Sequence, residues 1–353
     1  MKKTKYTYRE IHRQPSSWMK ALEYLDNLKG EKREFVKKFK DRIWVFTGCG
    51  TSYYLAQTAS HLFESITGIS CKAYPASEII LYPQVVFNNS SKHLFVPISR
   101  SGASTEVILA NQKANNILQI PSLAVSCDPQ SILVKESLSH LTFPFEKEES
   151  VIMTGSFTTM LLGLIHLAIC YRDELQIADK LFQLSNDSKK IFTDYERILK
   201  EIVTDNILSE FVFLGQGPFY GIANEAALKM QEMSISFSHS YHSLEYRHGP
   251  KSTATSETLF TVLLSESGVV YETHLLKDLQ AFGAKILLLC NENTYNDLGV
   301  ADFIIKVPSG FGDILNPLLY ILPLQLLGYY NALSKNLNPD HPRNLTAVVE
   351  FEI

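Results

Sequence analysis

Residues 45–56 read VFTGCGTSYYLA, and this stretch decides the fold. A short apolar run ends in two glycines, and a helical pattern starts after Thr51 and Ser52. Glycines between a strand and a helix commonly let a phosphate approach the backbone N–H groups at the helix N-terminus. The stretch leaves open whether that phosphate belongs to a nucleotide, to a sugar or to no ligand at all.

The same stretch returns later in the chain. VFTGCGTSYYLA at 45–56 becomes VFLGQGPFYGIA at 212–223, and ISRSGASTE at 98–106 becomes LSESGVVYE at 264–272, at almost the same offset. Two motifs repeated in the same order indicate two copies of one unit. In each copy, short β-rich runs alternate with longer helical patterns, which predicts an α/β fold with a mostly parallel, doubly wound sheet flanked by helices.

This repeat divides the chain into five segments. They are a helical N-terminal segment 1–40, a first copy 41–172, a helical connector 173–207, a second copy 208–335 and a C-terminal tail 336–353. The strands expected in the first copy are Ile43–Thr47, Lys72–Tyr74, Leu94–Ile98, Leu123–Ser126 and Leu141–Phe143. The helices expected there are Tyr53–Ser65, Ser104–Asn116 and Phe157–Tyr171.

The composition limits the kind of protein. The chain has 353 residues, of which 45% are hydrophobic and 20% charged, as is typical of a soluble globular protein. A net charge of −4 without a long run of one sign argues against a nucleic-acid partner. No uninterrupted apolar stretch of about 18 residues predicts a membrane span. The N-terminus is polar, and the cysteines are scattered without metal-binding spacing, so a cytoplasmic protein with reduced thiols is expected.

The glycine motif does not fit a nucleotide. GCGTSYY keeps the first two glycines of GxGxxG but has Tyr53 at the third, and the chain has no GK[ST] motif. The second motif, SRSGAST at 99–105, adds hydroxyls and backbone N–H groups at a further helix N-terminus. Together the two turns form what we call the phosphate cup, a hydroxyl-rich set suited to a phosphate monoester without a metal ion. Its expected residues are Gly50, Thr51, Ser52, Ser99, Arg100, Ser101, Ser104 and Thr105.

There is a simpler explanation for these hydroxyls, because serine and threonine are also common helix caps. Two such motifs on neighbouring turns favour the phosphate cup over caps alone. The second copy has lost the hydroxyls: Pro218 and Phe219 stand where the first copy has Thr51 and Ser52. We therefore expect the phosphate site in the first copy only.

An ordered set of motifs resembles a known family. GCGTSYY, SRSGAST, ESVIMTGSFTTM, EAALKMQEMS, EYRHGP and PRNLTAVVE are similar to the double SIS (sugar isomerase) domain proteins. That family includes the isomerase half of glucosamine-fructose-6-phosphate aminotransferase, aminosugar-phosphate deaminases and fructosamine-phosphate deglycases. The resemblance covers about residues 8 to 352 and implies two tandem SIS domains, a sugar phosphate as ligand, and a homodimer or higher homo-oligomer.

The resemblance also implies site residues. Glu232 matches the glutamate that shuttles a proton between C2 and C1, and Glu225 matches a second glutamate near the substrate. His248 matches a general acid or base for ring opening that reaches the site of a neighbouring subunit, with Glu245 and Arg247 expected to shape its loop as an ion pair. The substrate-facing loop supplies Glu148 and Val151. No cofactor and no metal are expected, so the chemistry would rest on carboxylates.

Spacing alone supports another interpretation of the glutamates. Glu225, Lys229 and Glu232 share one side of a helix and also fit a surface row of salt bridges. The apolar side of that helix would consist of Ala226, Met230 and Met233.

Two departures from the aminotransferase refine the expected activity. Its tail carries a lysine just after the PRNLA segment, where this chain has Ala347. This chain also shows no N-terminal cysteine nucleophile for glutamine hydrolysis. We therefore expect an aminosugar-6-phosphate deaminase and aldose–ketose isomerase. The alternatives are a fructosamine-6-phosphate deglycase and a non-catalytic phosphosugar sensor.

Overall fold

A computed structural model describes residues 4–172, 175–294 and 299–349. The chain forms two compact units, which we name by the repeat that each contains. The described residues of the first-copy unit lie within 13–148, 153–182 and 346–349. Those of the second-copy unit lie within 4–12, 149–152 and 183–345.

The first copy contains a parallel sheet. Its strands are β1 (Ile43–Gly48), β2 (Cys71–Pro75), β3 (His93–Pro97), β4 (Leu123–Ser126) and β5 (Ser139–Thr142). The order is β2-β1-β3, followed by the pair β4-β5, and the bridges Phe95–Ser122 and Ile98–Val125 connect β3 to β4. All of these pairings are parallel.

Helices precede and connect these strands. They are α1 (Thr7–Asp26), α2 (Lys29–Phe39), α3 (Thr51–Thr67), α4 (Ala76–Leu81), α5 (Pro83–Val86), α6 (Thr105–Gln112), α7 (Ile132–Lys135) and α8 (Gly155–Arg172). A short 3₁₀ turn spans Ser90–Lys92, and a π-helical turn at Lys113–Ile117 continues α6. The long helix α9 (Leu175–Thr204) leads to the second copy.

The second copy repeats the arrangement. Its strands are β6 (Glu210–Gly215), β7 (Phe237–His242), β8 (Thr258–Leu263), β9 (Lys285–Asn291) and β10 (Phe303–Val307). Its helices are α10 (Phe219–Ser234), α11 (Val269–Ala281) and α12 (Gly312–Ser334), with 3₁₀ turns at Glu245–Arg247 and Pro250–Thr253. The sheet order is β10-β9-β8-β6-β7, and every pairing is parallel.

The two sheets share one topology, which confirms the predicted tandem α/β fold. In each copy the first strand lies between the second and the third, and the fourth and fifth continue beyond the third. Such a sheet changes direction between its first and third strands, and ligands of open α/β sheets bind beyond the carboxyl ends of the strands at that point. In the first copy the loops concerned follow β1 and β3, which are the two loops of the phosphate cup.

The predicted element limits in the first copy are close to those observed. The predicted strand Leu123–Ser126 is β4, while Leu141–Phe143 is shifted against β5, which begins at Ser139. The predicted helix Ser104–Asn116 is split, because α6 ends at Gln112 and changes to the π-helical turn.

Each copy has its own apolar core around the sheet. In the first copy, Val45, Phe95 and Ala124 from the strands pack with Val107 and Ala110 of α6. In the second copy the core consists of strand residues Val212, Phe260, Val262, Ile286 and Leu288 together with Leu275 and Leu279 of α11. Within the described residues, no helix combines the length and the apolar character that crossing a bilayer requires.

Candidate functional site

The loop after β1 brings a helix N-terminus close to the strand. Gly50 has φ +52°, a left-handed conformation that favours glycine, and α3 starts at the next residue. A Cβ on Gly48 would lie only 2.5 Å from the backbone carbonyl carbon of Ser52, so the tight turn requires glycine there. Thr51 and Ser52 are both buried at the start of α3.

The loop after β3 arranges its hydroxyls around the N-terminus of α6. Ser99 Oγ accepts a hydrogen bond from Gly102 N at 3.1 Å and lies 3.4 Å from Ser104 Oγ. Ser101 Oγ accepts from Ala103 N at 3.2 Å. Ser104 precedes α6 but makes no side-chain capping bond to it. The helix-cap explanation therefore does not account for Ser104, which favours the phosphate cup.

Arg100 is held by partners of its own unit. Its Nη1 donates to Glu148 Oε2 at 3.0 Å, and its Nη2 donates to the carbonyl oxygen of Ala347 at 3.1 Å. The N–H of Thr105, at the first residue of α6, donates to the carbonyl oxygen of Val349 at 3.3 Å. The tail segment 346–349 thus lies along the phosphate cup and is bound to it through backbone carbonyls.

Glu148 is a buried and fully hydrogen-bonded carboxylate. It accepts from the N–H and hydroxyl of Thr154 at 2.7 and 3.1 Å, and from the N–H and hydroxyl of Ser156 at 3.1 and 2.5 Å. Burial alone would raise the pKa of Glu148, but Arg100 and these hydrogen bonds outweigh it and hold the pKa below its ordinary value. The carboxylate therefore links Arg100 to the N-terminus of α8, and its expected contact with a substrate stays a prediction.

Val151, the other residue predicted in this loop, falls in the second-copy unit. It is half-buried in the segment 149–152. That segment is fixed by Glu10, whose Oε1 accepts from Glu149 N at 2.6 Å and from Ser150 N at 3.4 Å.

The two predicted glutamates of the second copy lie on α10 with a lysine between them. Lys229 Nζ is 3.3 Å from Glu225 Oε1 and donates a close hydrogen bond to Glu232 Oε2. The side chains of Glu225 and Lys229 are 0% exposed, whereas that of Glu232 is 20% exposed. The row is therefore not a surface salt-bridge row, and that alternative is wrong. We call these three residues the buried triad.

The charge of Lys229 is maintained by its neighbours. Burial would lower the pKa of its ammonium group, but Glu225 and Glu232 outweigh this effect and raise the pKa above the ordinary value. A buried ammonium group beside a partly exposed carboxylate can stabilise negative charge that develops on a nearby oxygen. Lys229 was not expected to be a functional residue, although the sequence places it between two glutamates on one helix face.

The other residues of α10 are closely packed as well. Ala226, Met230 and Met233 form the predicted apolar side, and all three are buried. Helix α12 packs closely against α10: a Cβ on Gly328 would lie 3.3 Å from Lys229 O and 3.5 Å from Met233 Sδ.

His248 lies in an exposed loop after the turn Glu245–Arg247. The expected ion pair between Glu245 and Arg247 is wrong, because Arg247 Nη2 instead lies 2.9 Å from Asp278 Oδ2 of α11. That contact and the buried ring of Tyr246 anchor the loop to the rest of the second-copy unit. His248 itself remains accessible.

The loop of the second copy that corresponds to the phosphate cup is filled by the protein's own carboxylates. Asp313 accepts from Glu266 N at 2.8 Å, from Ser267 N at 3.0 Å and from Ser267 Oγ at 2.7 Å. Glu272 Oε2 accepts from the N–H and the hydroxyl of Ser265 at 2.9 and 2.8 Å. This arrangement supports the assignment of the phosphate site to the first copy.

Residues 4–172, 175–294 and 299–349 contain no group of three His, Cys, Asp or Glu side chains placed to hold a metal ion.

The amino-acid sequence is similar to that of known enzymes. The chain is 30% identical to the isomerizing glutamine–fructose-6-phosphate aminotransferase of Pseudomonas aeruginosa, over 98% of this chain and 59% of that protein. This chain thus spans well under two thirds of the length of that curated relative.

Solved structures show the same fold. The C-terminal domain of glucosamine-fructose-6-phosphate aminotransferase from Francisella tularensis has a TM-score of 0.85 at 25% identity, covering 96% of this chain and 98% of that one. Glucosamine-6-phosphate deaminase from Thermotoga maritima has a TM-score of 0.74 at 31% identity, covering 94% and 99%.

Both copies of the repeat match one domain family. The SIS domain matches residues 39–169 and 209–334, which include both sheets, the phosphate cup, the buried triad and His248. The chain therefore belongs to the SIS domain family and carries two SIS domains in tandem.

Proposed function

We propose that this protein is a phosphosugar enzyme that releases ammonia from an aminosugar 6-phosphate, with aldose–ketose isomerisation as the shared step. The observation that carries the proposal is the buried triad on α10. A base that removes a proton from carbon works best where a fixed positive charge stabilises the resulting anion. Glu232 is accessible enough to meet a substrate, and Lys229 provides the charge.

The residues fit a sequence of balanced steps. His248 assists opening of the sugar ring, and its exposed position supports the role in a neighbouring subunit that the resemblance implies. Glu232 takes the proton from C2 and returns it at C1, while a second proton passes from the amino nitrogen to O1, so that the 2-amino aldose becomes the 2-imine of the ketose. Water adds at C2, ammonia leaves, and a ketose 6-phosphate remains. Lys229 keeps its proton throughout, since its pKa is raised.

Two observations support ammonia release over transfer of an amino group from glutamine. The position where the aminotransferase carries a lysine is Ala347 here, and its carbonyl is bound to Arg100. A tail side chain with an amino group is therefore missing at that point. In addition, one of the similar structures bears the name glucosamine-6-phosphate deaminase.

A substrate panel tests the proposal. The purified protein is incubated with glucosamine 6-phosphate, galactosamine 6-phosphate and a fructosamine 6-phosphate, and ammonia, ketose phosphate and aldose phosphate are measured. We expect equal amounts of ammonia and ketose phosphate from an aminosugar 6-phosphate. Release of a free amine with an aldose phosphate would identify the deglycase instead. Calorimetric binding without any turnover would identify the sensor.

Replacing Ser101 by alanine should weaken the binding of any sugar 6-phosphate. A charge-assisted hydrogen bond contributes about 1–2 kcal/mol, so Kd should rise about 5- to 30-fold. Calorimetric titration with a sugar 6-phosphate measures the change. The matched control is Ser267→Ala at the corresponding position of the second copy, which should leave Kd unchanged. The reverse outcome would place the phosphate in the second copy.

A further inference from the structure

The position of the Glu232 side chain depends on the last turn of α10. Glu232 lies two residues before Ser234, where the helix ends. The last carbonyls of a helix have no partner within it, and helix ends fray unless other groups bind them. A base near a helix end therefore needs an external device that holds the turn.

The residue after the helix makes this requirement stronger. Ile235 has φ +50° and ψ +46°, the left-handed conformation in which helices usually have glycine. A β-branched side chain disfavours this conformation, so the turn does not form by local preference. Something outside α10 must hold Ile235 in place.

A polar cluster of Asn331 from α12 and Lys335, the residue after that helix, binds the residues on both sides of Ile235. Asn331 Nδ2 donates to Ser234 Oγ at 2.9 Å and to Ser236 Oγ at 2.8 Å. Lys335 Nζ donates to Ser236 Oγ at 2.7 Å and to the carbonyl oxygen of Ser234 at 3.3 Å. Ser234 Oγ in turn donates to Met230 O at 2.6 Å. Ser234, Ser236 and Asn331 are buried, so these bonds are shielded from water.

We propose that Asn331 and Lys335 are positioning residues that clamp the strained turn at Ile235 and thereby fix Glu232 next to Lys229. This inference rests on the proposed function only for its effect on turnover. The clamp itself is a property of the folded chain. Asn331 holds the two serine hydroxyls from the buried side, and Lys335 adds a cation at the negative end of α10.

The first test removes the cation and keeps the aliphatic stem. Lys335→Met should lower kcat about tenfold or more while KM changes less than twofold, because a misplaced base loses rate without losing ligand contacts. Lys335→Arg, which can donate to the same two oxygens, should restore most of the rate. The matched control, Lys277→Met on the exposed face of α11, should behave as the unmodified protein does.

A second test separates the clamp from a simple charge effect. Ile235→Gly lets the turn adopt the left-handed conformation without strain, so the turn depends less on the clamp. The kcat loss caused by Lys335→Met should then shrink to about twofold or less when it is measured in the Ile235→Gly background. An equal loss in both backgrounds would show that Lys335 acts through its charge alone and would overturn the clamp.

Amide hydrogen exchange tests the clamp without any substrate. The N–H of Ile235, which donates to Gln231 O at 3.0 Å, should exchange about tenfold faster in Lys335→Met and remain slow in Lys335→Arg. Unchanged exchange at residues 232–236 would refute the clamp even if turnover fell. Faster exchange in a protein that turns over no phosphosugar would support the clamp and refute the proposed function, so the two can fail separately.

Discussion

Replacing Glu232 by glutamine should lower kcat by about 10²–10⁴-fold, the usual contribution of a general base. Glutamine keeps the shape of the side chain, and its carbonyl oxygen can still accept the hydrogen bond from Lys229. It cannot accept a proton from carbon at neutral pH. KM should change little, because the phosphate cup is unaltered. Steady-state kinetics with the best substrate of the panel measures both constants.

Solvent deuterium provides an independent measurement of the same step. Enolisation removes the C2 hydrogen as a proton, so deuterium incorporation should fall in parallel with kcat. The control is Glu201→Gln, which removes the carboxylate of a surface pair with Arg197 at 3.5 Å and should leave both rates unchanged. Normal exchange in the Glu232→Gln variant would exclude Glu232 as the base and leave Glu225 as the next candidate.

Local sequence patterns were sufficient for the fold. The motif that begins at Val45 recurs at Val212, and both places turned out to be a first strand followed by a tight glycine turn and a helix. The reason is physical: strand runs, turn glycines and helix starts are encoded within a few residues. The error at β5 arose because its first residues, Ser139 and His140, are polar and do not look like a strand.

The partners of the charged side chains were harder to predict. Arg100 binds Glu148 and the carbonyl of Ala347, and Arg247 binds Asp278 rather than Glu245. These contacts join residues that are far apart in sequence, so no local spacing indicates them. The same holds for the surroundings of Lys229, since Gly328 of α12, which packs against the backbone at Lys229, lies about a hundred residues further along the chain. Helical spacing gave the correct face of α10 but not whether that face meets solvent.

Replacing Lys229 by methionine should destabilise the folded protein by about 3–5 kcal/mol, the usual effect of removing one partner from a buried ion pair. The methionine fills most of the space but leaves Glu225, whose side chain is 0% exposed, without its cation. Glu232 suffers less, because it is 20% exposed and retains contact with water. Urea unfolding should show a lower midpoint at an unchanged m-value.

Two comparisons isolate the buried charge as the cause. The double variant Glu225→Gln, Lys229→Met also removes the carboxylate charge that has lost its lysine and should recover at least half of the lost stability. Lys190→Met removes an exposed cation, which pairs with the half-buried Asp187, and should change stability by less than about 1 kcal/mol. A Lys229→Met variant as stable as Lys190→Met would mean that Glu225 does not depend on the lysine charge.

The pH dependence gives the final check on Lys229. Its pKa is higher in the folded protein than in an unfolded chain, so the folded state binds its proton more tightly. The stability that this provides is complete below the ordinary lysine pKa of about 10.4 and is lost as the pH rises through the raised value. The unmodified protein should therefore lose stability in this alkaline range, and Lys229→Met should lack that part of the loss. Parallel alkaline curves for the two proteins would show that the triad does not hold the proton on Lys229.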